Sequence, residues 1–224
     1  MAASESSSRV SQLHDTIRAE ILNGDIKPGA PLRLATFANR HGVSMAVVRE
    51  ALTRLAEHNL AVLTPNQGFR VVEVSEEDLL AITELRSMLE PTALLRAMEY
   101  GDVSWEAGIV SAHHVLERAH FKLDDATGST QEWSTAHAEF HLALISACDN
   151  PRMLSISNSL RDSAELYRQL TDGRSHSGDR DIAGEHRELM ELAIARDPAA
   201  ADALRRHIQI TTDALIASKV LTSR

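Results

Sequence analysis

The sequence predicts a mainly α fold in two parts: an N-terminal winged helix-turn-helix domain with a small β-hairpin wing, then a C-terminal all-α antiparallel helical bundle. Three observations carry this. Residues 44–60 form an amphipathic helical stretch, separated from a shorter one by the tight break His41-Gly42. Two short β-branched runs, Ala61–Thr64 and Phe69–Val74, flank a Pro65-Asn-Gln-Gly68 turn and read as a hairpin. Beyond Ser75 every periodic segment has helical spacing, with no strand signature.

Taken in order, Val10, Leu13, Ile17 and Ile21 recur at helical spacing and predict a first helix, which Asn23-Gly24 ends with Gly24 as a left-handed cap. Lys27-Pro-Gly-Ala-Pro31 is a turn cluster, and Leu34, Phe37 and Ala38 stripe a second helix. Ser44 is placed to cap the third, because its hydroxyl can accept from a backbone N–H that the first turn leaves unpaired. Val47, Val48, Ala51, Leu52 and Leu55 then form the apolar face. A boundary falls near Glu73–Glu76, dividing the chain into residues 1–74 and 75–224. Ser75-Glu-Glu-Asp78 opens a new helix, its acidic first turn suited to the positive end of the helix dipole. Helices are expected from there at about 76–100, 103–122, 131–148, 152–171, 180–196 and 198–222. Pro91 should kink or interrupt the first of these unless it begins a separate segment. The Gly/Ser/Asp-rich stretches 124–130 and 172–179 read as mobile loops.

The polar face of the third helix presents Ser44, Met45, Ala46, Arg49, Thr53 and Arg54. Small side chains let a helix approach a groove, and a guanidinium fork pairs with guanine edges or phosphates. Arg33 ahead of the second helix, and Gln67, Gly68 and Arg70 in the wing, complete the candidate DNA-binding set. The segments Ile21-Leu-Asn-Gly24, Lys27-Pro-Gly-Ala-Pro-Leu32, Gly42-Val-Ser44, Val48-Arg-Glu-Ala-Leu52 and Gly68-Phe-Arg-Val71 resemble the amino-terminal domain of the GntR family of bacterial transcription regulators. The resemblance implies a homodimer on a pseudo-palindromic double-stranded operator, with Ser44–Leu55 in the major groove and the wing around Gly68 in the adjacent minor groove. Relatives often carry Arg after the capping Ser and Arg before the wing Gly, where this chain has Met45 and Gln67. Arg49 is retained, so operator choice should differ from that of better-known relatives.

At 224 residues with 43% hydrophobic composition, the chain can bury two modest cores. The polar opening Met1–Arg9 lacks an apolar signal region, no later run is long enough to span a bilayer, and the cytoplasm is the expected compartment. Cys148 is the single cysteine, which excludes an intrachain disulfide and a cysteine-built zinc site; it reads as a small buried residue near a helix end. The net charge of −9 is unevenly spread: residues 1–74 carry eight Lys and Arg against seven Asp and Glu, a net of +1, leaving −10 for the rest. DNA must then be met by the first domain, and binding should fall steeply with salt.

His137-Ala-Glu-Phe-His141 falls within one predicted helix, where i,i+4 spacing puts both imidazoles on one face. His186 and His207 lie in later amphipathic helices whose apolar sides are marked by Leu189, Ala193, Leu204 and Ile208. Four neutral imidazoles facing a bundle core can hold a divalent transition metal such as zinc or nickel; the plainer alternative is polar core residues, among 11 histidines in all. His113, His114, His120 and His176 read as solvated. Asp78–Ala97 with Leu85-Arg86 and Leu89-Glu90, then Phe140-His141, Asp149-Asn150-Pro151, Glu185-His186-Arg187 and His207-Ile208, resemble the ligand-sensing FCD domain of the FadR subgroup within GntR. The resemblance implies an Asp and three His that hold a metal at the floor of a cavity receiving small carboxylates. His141, His186 and His207 match the three histidine positions, and Arg86 matches a cavity-facing one where a guanidinium could pair with a carboxylate effector. Arg86 is equally placed for an i,i+4 ion pair with Glu90. His137 stands where Asp is usual, which removes a negative charge and offers a softer donor, and Asp197–His207 is one residue short.

Two other classes remain in view. A metalloenzyme would need an open coordination position and a base, but Glu139, two residues after His137, is turned about 200° away around the helix. A helical adaptor with a DNA domain that has lost its function is the other, kept open by Met45 and Gln67.

Overall fold

Val10, Leu13, Ile17 and Ile21 line one side of α1 (Ala2–Leu22) and are all buried, as their spacing requires. The structure is a computed structural model; it describes residues 2–121, 129–170, 180–218 and 221, and the chain separates into two units, Met1–Val74 and Ser75–Arg224. The helix begins well before Val10, where the apolar stripe starts. Once the buried turns have nucleated it, extension through an Ala/Ser/Glu stretch costs little per residue. Gly24 ends this region at φ 77°, in the left-handed conformation.

The rest of the first unit follows with β1 (Pro31–Leu32), α2 (Leu34–His41), α3 (Met45–Glu57), β2 (Ala61–Thr64) and β3 (Gly68–Val71). Gly42 at φ 63° makes the left-handed break after α2, and Ser44 Oγ accepts from Val47 N at 3.4 Å to start α3. Val48, Ala51, Leu52 and Leu55 are fully buried, each Val or Leu contributing roughly 1.5–3 kcal/mol by leaving water. Val47, placed on the apolar face by spacing alone, is only half-buried. The expected hairpin is one side of a three-stranded antiparallel sheet ordered β1-β3-β2. Pro31, read from sequence as the end of a turn, pairs with Arg70, and Leu32 pairs with Phe69. Pro31 lacks an N–H but occupies an edge strand, where none is required, while Leu32 fills the core.

The second unit comprises α4 (Glu76–Tyr100), α5 (Val103–Arg118), α6 (Gln131–Ile145), α7 (Pro151–Arg168), α8 (Ile182–Ile194) and α9 (Ala199–Ala217) among the described residues. α4 packs against α6, α7, α8 and α9, and α5 against α6 and α8. Ser75 caps α4 by accepting from Asp78 N at 3.1 Å. Pro91 does not divide α4; it is buried between Glu90 and Ala93, and packing in the core outweighs the one backbone hydrogen bond that proline removes. Several helices are shorter than their periodicity suggests. α5 stops at Arg118 because Ala119 is extended, which brings Phe121 edge-on to Trp133 at 4.7 Å. Arg196, at φ 53°, breaks the chain between α8 and α9. Cys148 is buried just past α6, as expected. Of the loop expected at 124–130, residues 124–128 lie outside the described residues, as does the whole of that expected at 172–179, His176 with it.

Candidate metal and effector site and DNA-binding face

Thr130 Oγ1 accepts from Trp133 N at 3.1 Å and starts α6, whose inward face carries His137 and His141 one turn apart. Asp181 Oδ1 accepts from Gly184 N at 2.8 Å and starts α8, bringing His186 in; His207 comes from the middle of α9. Their donor atoms all lie within 4.8 Å of one another. The rings stand edge-on or tilted, with centroids 4.5 Å apart for His137 and His141 and 4.9 Å for His186 and His207. His141, His186 and His207 are buried, and His137 is partly so, stacked on Trp133 at 4.5 Å.

Burial holds all four imidazoles below the usual histidine range, and each is further opposed by neighbouring positive or potentially positive groups. For His207 the carboxylate of Glu185 pulls the other way. Its Nδ1 lies 2.7 Å from Glu185 Oε2, so an Nδ1–H donating to the carboxylate leaves Nε2 as the lone-pair nitrogen. Burial raises the Glu185 carboxyl, yet hydrogen bonds from Arg180 and His207 outweigh it and bring it down to about 2. Arg180 grips both oxygens of Glu185 at 2.6 Å and also donates to Thr211 Oγ1 at 3.0 Å.

Nε2 of His141 and Nε2 of His186 are buried without a hydrogen-bond partner. Buried polar nitrogens left unpaired cost about 1–3 kcal/mol each, and this cost disappears if they coordinate a cation. A four-nitrogen set suits zinc, nickel or a similar borderline ion. Tetrahedral zinc, with bonds of about 2.0–2.1 Å, needs donors roughly 3.4 Å apart, so the widest separation must contract by about 1.4 Å. The residues fit a metal.

Arg86 forms the ion pair its spacing allowed, Nε to Glu90 Oε1 at 2.6 Å, with Glu90 almost wholly enclosed. Glu139 is exposed and lines a shallow depression on the other side of α6 with Val115 and Thr135, so no base faces the histidines from there. His113 corrects the sequence reading: it is buried, edge-on to Phe140 at 5.6 Å. Its place between Ile109 and Leu116 on one helical stripe was the available signal. Trp133, four residues before His137, was similarly legible. Glu185, Arg180 and Arg161 were not, because their roles depend on which helices become neighbours.

In the first unit Met45, Arg49, Thr53, Gln67, Gly68 and Arg33 are exposed. Ser44, also exposed, is engaged as the cap. Arg54 contacts Glu50 at 3.3 Å across one turn, an exposed pair that costs little to break. Arg70 is more committed: its Nη1 donates to the Gly29 carbonyl at 2.8 Å.

An exposed-face helix after a tight turn, a β wing and a separate helical domain with a buried polar cluster define a ligand-responsive, DNA-binding transcription regulator. Residues 9–71 match the bacterial regulatory proteins of the gntR family and residues 81–210 match the FCD domain, and the chain belongs to the GntR family, FadR-like subgroup. It is 33% identical over 195 residues to the uncharacterized HTH-type transcriptional regulator BphR of Paraburkholderia xenovorans, covering 86% of this chain and 79% of that protein. It is 28% identical to the transcriptional repressor GlaR of Escherichia coli, covering 86% of this chain and 89% of the repressor. The fold is similar to that of E. coli McbR/YncC (TM-score 0.77, 22% identity, 93% of this chain and 97% of that one). A putative GntR regulator from Rhodococcus sp. RHA1 is similar too (TM-score 0.76, 23% identity, 94% and 98%). As a member of this family the protein is a regulator and not an enzyme. No helix among the described residues is long and apolar enough to cross a membrane.

Proposed function

We propose that the protein acts in the cytoplasm as a homodimer on a pseudo-palindromic operator, and that a divalent transition metal held by His137, His141, His186 and His207 forms the floor of its site for a small carboxylate effector. The observation that carries the metal is the pair of buried, unpartnered Nε2 atoms on His141 and His186 within a group of four converging imidazoles. When bound, the metal supplies a positive centre for an anionic ligand. Glu185 orients His207, Arg180 holds Glu185, and Arg86 adds positive field beside Glu90. A ligand shifts the DNA-binding equilibrium only by its differential affinity for two conformations, so both cation and guanidinium should matter to the response.

For DNA, Ser44, Met45, Arg49, Thr53 and Arg54 would enter the major groove, Gln67, Gly68 and Arg70 would serve the wing, and Arg33 would meet the backbone. A first domain with a net charge of only +1 supports two copies acting together. So does the exposed apolar row Leu85, Met88 and Leu95 along α4, a surface suited to a second subunit. Elemental analysis of untagged protein, before and after chelation, tests the metal. About one metal per subunit and a higher Tm with zinc, nickel or manganese are expected. A metal-free protein whose Tm ignores all three ions would leave the histidines as polar core.

A further inference from the structure

Among the described residues, the positive charges around the histidines are paired with carboxylates except at one place. Arg86 is paired with Glu90, Arg168 with Glu165, and Arg180 with Glu185. Arg161 reaches from α7 to α6, where its Nη2 donates to the Ala138 carbonyl at 2.8 Å, directly after His137 in sequence. Its Nη1 is enclosed and has no hydrogen-bond partner. Glu90 attracts it without hydrogen-bonding it, Asp162 and Glu165 attract it more weakly, and Arg86 repels it. Ala138 lies between His137 and His141 in α6, so this hydrogen bond holds the guanidinium against the helix that carries both imidazoles.

A charged donor shut away from water without an acceptor is unfavourable, and it persists where a ligand supplies the acceptor. We propose that Arg161 is the anion anchor of the sensing site, its Nη1 donating to a carboxylate oxygen of the effector beside His141. The proposal rests on the reading that the histidine cluster is the effector site, and it replaces Arg86 as the direct contact, since the fork of Arg86 is already filled by Glu90. The local charge also selects the ligand. Only the Nη1 edge of one guanidinium would be open to the anion, and the buried carboxylate of Glu90 acts on the same group, so a singly charged carboxylate end is favoured over a phosphate dianion. Burial, helped by Arg86, brings the Arg161 guanidinium down to about 10 against the pull of Glu90, Asp162 and Glu165.

The test uses full-length protein, metal-free and zinc-loaded, titrated with sodium propionate, sodium phosphate and sodium chloride at matched ionic strength. Thermal shift and Trp fluorescence give the apparent affinities. Propionate should raise the Tm of wild type where phosphate and chloride do not, and Arg161→Met should weaken propionate roughly tenfold or more while binding zinc as before. Propionate binding equally to wild type and Arg161→Met, or a wild type that prefers phosphate, overturns the proposal. If Arg161→Met does not fold, the Arg161 guanidinium ¹⁵N signals of wild type, assigned with Arg161→Lys, decide instead: they shift on propionate addition, or the proposal fails. Zinc separates the two readings. Failure to bind zinc with propionate still dependent on Arg161 removes the metal alone, whereas zinc binding with propionate indifferent to Arg161 removes the anchor alone.

Discussion

Replacing Glu185 isolates the part of the site that no first-contact residue explains. Its carboxylate receives His207 Nδ1 at 2.7 Å and both Arg180 contacts at 2.6 Å, with His207, Arg180 and Glu185 side chains only 6%, 14% and 20% exposed. Glu185→Gln keeps an oxygen that can accept from His207 but loses the charge that holds Arg180. Glu185→Ala loses both, frees the His207 ring to rotate or change tautomer, and leaves the largely enclosed Arg180 without its carboxylate partner. Partners behind a metal-binding histidine carry about 10–100-fold in metal affinity, or roughly 1.4–2.8 kcal/mol. Gln should fall near the lower figure and Ala near the upper one. Competition against a chromophoric zinc chelator measures this, and imidazole ¹⁵N shifts of His207 report the tautomer independently of affinity. Unchanged zinc affinity in both variants, with wild type binding zinc, would refute the argument that Glu185 sets the His207 donor.

Arg49→Ala should lower specific DNA binding by about 1–3 kcal/mol per half-site, with helicity and dimerisation unchanged; a gel shift equal to wild type would mean α3 is not the reading helix. Acid should destabilise the metal-free protein. Burial keeps His137, His141 and His186 neutral when folded, below their unfolded pKa of about 6.5, so the unfolded chain takes up more protons there. Their contribution is fully present above about pH 6.5 and is lost as pH falls towards the folded values, giving a Tm that drops between roughly pH 7 and pH 5 and drops less in His141→Ala. His137→Asp should retain the metal and bind it more tightly by restoring a negative ligand; a chelator titration showing weaker binding would contradict that.

The sequence by itself determined the elements whose information is local. Ser44 caps α3 and Ser75 opens α4 as their spacing to the first turn requires, and Gly24 and Gly42 take up left-handed conformations because only glycine does so freely. The i,i+4 pair His137 and His141 and the stripe Val48, Ala51, Leu52, Leu55 were legible because a helix's period is a property of one segment. Tertiary structure decided what depends on which segments become neighbours. Pro31 and Leu32 became a strand only because β3 lies beside them. His113 was enclosed by Phe140 from another helix, and Arg86 closed on Glu90 where spacing alone left two outcomes open. The Glu185 support of His207 joins α8 to α9, and the unpaired Nη1 of Arg161 is left so by what α4 and α6 present to α7. Periodicity is written along the chain, whereas the pairing of a buried charge depends on every element that encloses it.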